Sequence, residues 1–266
     1  MDLFYRKYGE GPPLIILHGL YGDSSNWVTI ARHLEKNYTV FVPDMRNHGN
    51  SPHSQVHDYM AMSSDIAEFI EKKSMSKVSL LGHSMGGKTA MTFSAKNPDK
   101  VASLIIADIS PFIRSDQSDK IPRFHQKVLG TLLNTDISSY SGRAEIEEII
   151  AEMIGDTRTA SFLLKNLYRM ENGRYGWRLN ARSLYDNLNK LMGTIPADIS
   201  RTVTGFPVLF IKGSESGYLP ESHFPMITDL FPAAEFKIIE GAGHWLHAEK
   251  PEEFSETVLS FLEGGY

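Results

Sequence analysis

From Leu14 to Ile106 the chain alternates short continuous apolar runs with amphipathic stretches. Leu14-Ile15-Ile16-Leu17, Thr39-Val40-Phe41-Val42, Val78-Ser79-Leu80-Leu81 and Val101 to Ile106 have strand length and little polar interruption. Between them, Trp27 to Leu34, Tyr59 to Lys72 and Met85 to Lys96 carry helical spacing, clearest at Met62, Ile66, Phe69 and Ile70. Strands that are apolar on both faces and separated by helices predict a mostly parallel sheet with helices on both faces, an α/β fold. From Ile113 to about Thr204 the rhythm changes. No strand is predicted there, and Ile121 to Leu133, Arg143 to Met153, Thr157 to Tyr168 and Asn180 to Met192 read as helices. Strand character returns at Val208-Leu209-Phe210-Ile211 and Glu235 to Ile239. A last helix runs from Glu252 to Leu262, with Pro251 near its start, where proline is tolerated. The pattern predicts one core built from residues 1–112 and 205–266, interrupted by a helical insert over residues 113–204.

Composition narrows the functional classes. The 266 residues are 41% hydrophobic and 22% charged, an ordinary globular balance. A formal charge of -5 argues against broad attraction to nucleic acid or anionic lipid. Cysteine is absent, which removes disulfides, thiolate zinc sites and a cysteine nucleophile together. No apolar run approaches the roughly 20 residues of a spanning helix, and no apolar stretch follows the charged start Met1 to Lys7, so a cytoplasmic location without a membrane span is expected.

The sharpest chemical signal is Gly82-His83-Ser84-Met85-Gly86, placed after a strand and opening a helix. A serine at the tip of so tight a turn needs a strained backbone, and flanking glycines remove colliding side chains. Serine is a poor nucleophile without a base. His244, in Gly241-Ala242-Gly243-His244-Trp245, follows the last strand and so emerges at the same carboxyl edge of the sheet as Ser84. The backbone N–H of Met85, in the first helical turn, points toward developing negative charge. That of Leu20, in His18-Gly19-Leu20, is the second expected oxyanion donor. His18 itself reads as a structural residue of that loop.

Strand–HGL, then Pro43-Asp44-Met45-Arg46-Asn47-His48-Gly49-Asn50-Ser51, then GHSMGG, then GAGHW, in this order, resemble the α/β-hydrolase superfamily. Within it the chain is most similar to the small esterase branch of YbfF-type esterases and related abhydrolase-domain proteins. The resemblance implies the α/β-hydrolase fold with a helical lid. It also bears on the acid that orients the histidine. The commonest family pattern places an aspartate in a Gly-x-x-Asp segment after the penultimate strand. Here that segment reads Gly213-Ser214-Glu215-Ser216, with Ser216 at the aspartate position. The end of the strand after the nucleophile helix can reach the same histidine and carries Asp108. Asp108 is therefore the expected acid, as the resemblance also implies, with Glu215 the alternative and Ser216 a fourth member bonding the acid or the histidine. The Asp44 to Ser51 stretch reads as a structural turn network.

Other candidates are weaker. His53 with His57, and His244 with His247, have spacings that can suit a metal, but no carboxylate accompanies them, so no metal is expected. His247 reads as a loop anchor. Gly19-Leu20-Tyr21-Gly22 lacks the dinucleotide fingerprint, so no cofactor is expected. Tyr21, beside the oxyanion loop, and Trp245, beside the base, are the pocket candidates. Phe112, Phe124, Phe162, Tyr168, Tyr175, Trp177 and Tyr185 of the insert region either line an acyl pocket or form the insert's own core. Arg178 and Arg182 read as solvated surface, with an anionic substrate group the other option. The expected function is a serine hydrolase cleaving small-molecule carboxylic esters, or thioesters, through an acyl-enzyme. Carbon–carbon bond hydrolysis of a diketone and a ligand receptor on a retained hydrolase fold are the alternatives. Haloalkane and epoxide hydrolysis are disfavoured, because relatives with those activities carry aspartate where Ser84 stands.

Overall fold

The structure is a computed structural model that describes residues 1–113, 120–140, 142–196 and 202–264. Parts of the expected insert, residues 114–119, 141 and 197–201, lie outside the described residues. The first segment contains β1 (Tyr5–Tyr8), β2 (Pro13–Leu17), α1 (Val28–Leu34), β3 (Thr39–Pro43), α2 (Tyr59–Lys72), β4 (Val78–His83), α3 (Met85–Lys96) and β5 (Val101–Ala107). There follow α4 (Lys120–Asn134), α5 (Arg143–Ile154), α6 (Thr157–Leu163), a hairpin of β6 (Leu167–Arg169) and β7 (Tyr175–Trp177), α7 (Ala181–Asp186) and α8 (Leu188–Met192). The chain then returns through β8 (Val208–Gly213), α9 (Phe224–Leu230), β9 (Ala234–Ile239), α10 (Leu246–Glu249) and α11 (Pro251–Leu262).

Seven strands form one sheet in the order β1-β3-β2-β4-β5-β8-β9, parallel except for β1. Its central strands are buried throughout because both faces are covered. Leu14 and Ile16 face a layer made with Trp27 and Ile30 of the α1 region and Phe254 and Val258 of α11. Ile15 and Leu17 face the opposite layer, with Met62 and Ile66 of α2 and Met91 and Phe93 of α3. This second layer continues without a break into the apolar stripes of the inserted helices, at Val128, Leu132, Ile146, Ile150 and Leu184. Parallel strands bring all their carboxyl ends to one edge. Ser84, Asp108 and His244 leave the sheet there, after β4, β5 and β9. From β2 the chain departs toward β3, and from β4 toward β5, so a crevice opens between the ends of β2 and β4. Among the described residues no helix is long and apolar enough to cross a membrane.

Several elements differ from the sequence expectation. Tyr5-Arg6-Lys7-Tyr8 forms the antiparallel edge strand although it is not apolar, since an edge strand exposes one rim and tolerates charge. The expected helix from Thr157 to Tyr168 stops at Leu163. The Asn166 amide donates to Leu163 O at 3.2 Å and to Tyr21 O at 2.7 Å, and the chain then turns into β6, so the insert does contain strands. The expected helix from Asn180 to Met192 is divided at Asn187, whose side chain bonds Ser183 O and Gln55 O at 2.9 and 2.8 Å. Such local bonding by asparagine competes with the helical ladder. Helix α9 carries Pro225 in its first turn and, at seven residues, is too short to register as periodic.

Candidate active site

The loop from Asp44 to Ser51, after β3, is a hydrogen-bonded turn network. Asp44 accepts from Ser24 N at 2.7 Å and Asn50 N at 2.8 Å, and Ser51 Oγ donates to Asp44 O at 2.5 Å. Arg46 forms a bidentate pair with Asp65, at 2.6 and 2.8 Å. His18 accepts from Met45 N through Nε2 and donates from Nδ1 to Gly19 O, which fixes the loop after β2. His48 likewise accepts from Tyr21 N at 3.3 Å. Burial lowers the proton affinity of both imidazoles, so both stay neutral and can accept.

Ser84 stands at the apex of the β4–α3 turn with φ 52° and ψ -118°, a strained conformation for a residue with a Cβ. Its N–H donates to Ala107 O at 3.1 Å, which anchors the turn to β5. The glycines make this turn physically possible. A Cβ on Gly86 would sit 2.2 Å from Leu17 O, and one on Gly82 would sit 2.4 Å from Gly86 O. A Cβ on Gly19 would lie 2.7 Å from His83 Nδ1 and 3.2 Å from the Ser84 Cβ, so the main chain before Leu20 passes directly against the serine. Among the described residues, neither Leu20 N–H nor Met85 N–H donates to a protein acceptor.

Asp108 is fully buried and also has positive φ, 50°. Its Oδ2 accepts from His244 Nδ1 at 2.7 Å and from the Ser216 hydroxyl, and its Oδ1 accepts from Gly213 N at 3.1 Å. Glu215 is exposed, and among the described residues its carboxylate makes no contact with His244. The structure thus brings Asp108, Ser216 and His244 together and leaves the alternative acid outside. With Nδ1 donating to Asp108, the neutral imidazole keeps its lone pair on Nε2. Ser84 and His244 line the same cavity, and among the described residues no hydrogen bond yet joins them. Bonds of this kind often tighten only when substrate is present.

Three residues that sequence reading passed over frame the histidine. Tyr218 stacks on the His244 ring with centroids 3.7 Å apart and 16° between planes. His83 donates from Nε2 to His244 O at 2.8 Å. His125, on α4, contacts Tyr21 Oη at 3.0 Å and Tyr218 Oη at 3.4 Å, which ties the insert to both sides of the site. Burial, assisted by the nearby His244, lowers its pKa to about 4. The only sequence signal for any of them was His83, inside the GHSMGG motif itself.

Two cavities meet at Leu20, Ser84, His125 and Tyr218. The first is walled by Met85, Ile109, Phe112, Ile121, Leu191 and Met192, with Tyr59 and Lys88. The second is aromatic, with Tyr21, Trp27, Phe124, Phe162 and Trp245, and holds His244. Tyr21 and Trp245 therefore both line the site. Of the insert-region aromatics, Phe112 lines the first cavity and Phe124 and Phe162 the second. Tyr168, Tyr175, Trp177 and Tyr185 line neither; the last three pack against the core, and Tyr168 lies under the Arg178 guanidinium. Arg178 and Arg182 are exposed, bonded to Asn50 and Asp186. His247 stacks on Trp27 at 4.2 Å, His53 bonds Arg178 O, and His57 lies between Asn47 and Met85. Among the described residues no three histidine or carboxylate side chains converge as a metal set.

A sequence profile described as alpha/beta hydrolase fold matches residues 12–251. The chain is 37% identical over 267 residues to an sn-1-specific diacylglycerol lipase ABHD11 of Danio rerio, covering 98% of this chain and 81% of that protein. It is 32% identical over 252 residues to the esterase YbfF of Escherichia coli, covering 94% and 92%. Among solved structures, a marine microorganism esterase superposes with a TM-score of 0.93 at 43% identity, covering 98% of this chain and 99% of the other.

Proposed function

The chain belongs to the α/β-hydrolase family, and from that premise we propose that it is a serine esterase working through an acyl-enzyme. One observation carries the reading. A buried aspartate holds Nδ1 of His244 at 2.7 Å, in the cavity lined by a serine at a strained strand-to-helix apex. Ser84 Oγ attacks the ester carbonyl while His244 Nε2 takes its proton. Asp108 holds the imidazole tautomer and compensates the charge of the imidazolium, without itself taking the proton. Ser216 bonds the Asp108 carboxylate beside the histidine and keeps it aimed. The Leu20 and Met85 N–H groups bind the oxyanion, each contributing about 3 kcal/mol to the transition state. His244 then protonates the departing alcohol, and water repeats the sequence on the acyl-enzyme.

The same geometry divides the substrate. The leaving group must lie beside the histidine that protonates it, and His244 lines only the second, aromatic cavity. The leaving alcohol or thiol therefore occupies the side of Tyr21 and Trp245. The acyl group occupies the first cavity, beside Met85. In this reading the insert acts as a lid, contributing Ile121, His125, Leu191 and Met192 to the first cavity and Phe124 and Phe162 to the second. Likeness to proteins named diacylglycerol lipase and esterase supports a carboxylic ester as the bond cleaved, with thioesters as an extension.

Fluorophosphonate labelling followed by peptide mapping tests the nucleophile. The label is expected on Ser84, and Ser84→Ala is expected to lower kcat by about 10⁴-fold or more with the fold intact. Undiminished p-nitrophenyl ester hydrolysis by that variant overturns the assignment. A panel that sets acyl esters against vinylogous diketones separates ester cleavage from carbon–carbon cleavage.

A further inference from the structure

The first cavity contains a charge that ester cleavage does not use. Lys88 lies one turn of α3 beyond Ser84, about 6 Å of axial rise, and its side chain lines the cavity although only 5% of the residue is exposed. Its ammonium donates to Gly193 O and lies 5.8 Å from the centre of the Tyr59 ring. An ammonium has three protons to donate. Among the described residues no carboxylate pairs with it, and no other lysine or arginine lines this cavity. Tyr59 cannot supply a counter-charge, because burial raises its pKa and its hydroxyl is committed to Leu191 O at 2.6 Å. His125 and Tyr218, where the two cavities meet, are neutral, because burial lowers the first to about 4 and raises the second to about 12. The remaining walls are apolar: Ile109, Phe112, Ile113, Ile121, Leu191 and Met192.

Burial lowers the pKa of Lys88 to about 8, which leaves it protonated at neutral pH. A cation without a counter-ion in an apolar cavity is costly, and an anion brought to it recovers much of that cost. The Gly193 carbonyl, just beyond α8, gives the ammonium one partner. That contact uses one of the three ammonium protons.

We propose that Lys88 is the anion-binding end of the acyl subsite, and that the preferred acyl group is short and ends in a carboxylate, as in the half-ester or half-thioester of a dicarboxylic acid. The proposal rests on the reading of Ser84 as nucleophile and of the first cavity as the acyl side. The carbonyl under attack lies at Ser84, a few carbons of chain cross the apolar walls, and the terminal carboxylate meets the ammonium. Neutral chains of the same length fill the walls and leave the ammonium without an anion. Chains much longer than this must displace the lysine stem.

The test compares mono-p-nitrophenyl glutarate with p-nitrophenyl hexanoate, which are similar in length and share a leaving group. For the unmodified protein kcat/KM is expected to be at least tenfold higher for the half-ester, mainly through KM. In Lys88→Met the ratio of the two constants is expected to fall to about one or below. A merely structural role for the lysine would change both constants together and leave the ratio alone. The ratio in the unmodified protein is a test that needs no variant, should Lys88→Met fail to fold. Preference for the neutral ester, with Ser84 still labelled by fluorophosphonate, overturns the lysine proposal and leaves the esterase reading standing. Retention of the half-ester preference by a folded Lys88→Met also overturns it. Absence of turnover of either ester together with absence of labelling overturns the underlying reading.

Discussion

Every oxygen of the Asp108 carboxylate has a donor, from Gly213, Ser216 and His244, while Glu215 reaches solvent. An amide at position 108 would offer one acceptor and one donor to partners that all donate. It would favour the wrong imidazole tautomer. Asp108→Asn is therefore expected to lower kcat by about 10⁴-fold, whereas Glu215→Gln is expected to change it by no more than about twofold. Steady-state kinetics on one p-nitrophenyl ester compares them, and the reverse ranking would move the acid to Glu215. At this scale the glycines made Ser84 and His244 legible, since each motif implies its own turn. Asp108 was legible as the residue at the end of an apolar run. Tyr218 and His125 were not. Their part depends on the loop after β8 folding over the ring and on α4 reaching across the crevice, and neither is written into local spacing.

Elements were legible in proportion to how continuously they are buried. The central strands read directly as apolar runs, and α2 and α3 run as their periodicity predicts. The polar edge strand β1 and the three-residue strands of the hairpin lack enough positions to form a pattern. Glycine substitutions separate elements packed to contact from elements with room. Gly86 brings α3 against β2, where an added methyl would sit 2.2 Å from the Leu17 carbonyl. Gly86→Ala is expected to cost about 3 kcal/mol, read as a lower urea midpoint with an unchanged slope. Gly130, inside α4, has nothing within 4 Å of the same methyl position. Gly130→Ala is expected to stabilise by about 0.5–1 kcal/mol, because alanine loses less backbone entropy in a helix. A destabilising Gly130→Ala would mean that α4 is not the open helix described.

At the scale of the whole molecule, burial has made an unusual store of neutral imidazole. Of the ten histidines in the chain, six (His18, His48, His57, His83, His125 and His247) have their proton affinity lowered, with desolvation the largest cause in each. His57 and His247 fall to about 3 and His125 to about 4. In the unfolded chain such groups bind a proton near pH 6.5, so below that value unfolding takes up protons and stability falls as the solution is acidified. For His57, His125 and His247 the stability is fully present above about pH 6.5 and is lost progressively toward pH 3–4, by roughly 1.4 kcal/mol per pH unit for each imidazole, and His18, His48 and His83 act in the same direction. Urea unfolding at fixed steps from pH 7 to pH 5 should give steadily lower free energies, in a window above the range where most carboxylates titrate. A flat profile there would contradict the buried neutral assignments. In the proposed mechanism the acid directly follows β5, so Ser84, Asp108 and the Leu20 amide all precede the long excursion between β5 and β8, while His244 and the supporting Ser216 follow it. Cutting the polypeptide within that excursion would divide it into two fragments, each chemically silent alone, and the return of turnover on mixing would signal that they had found each other.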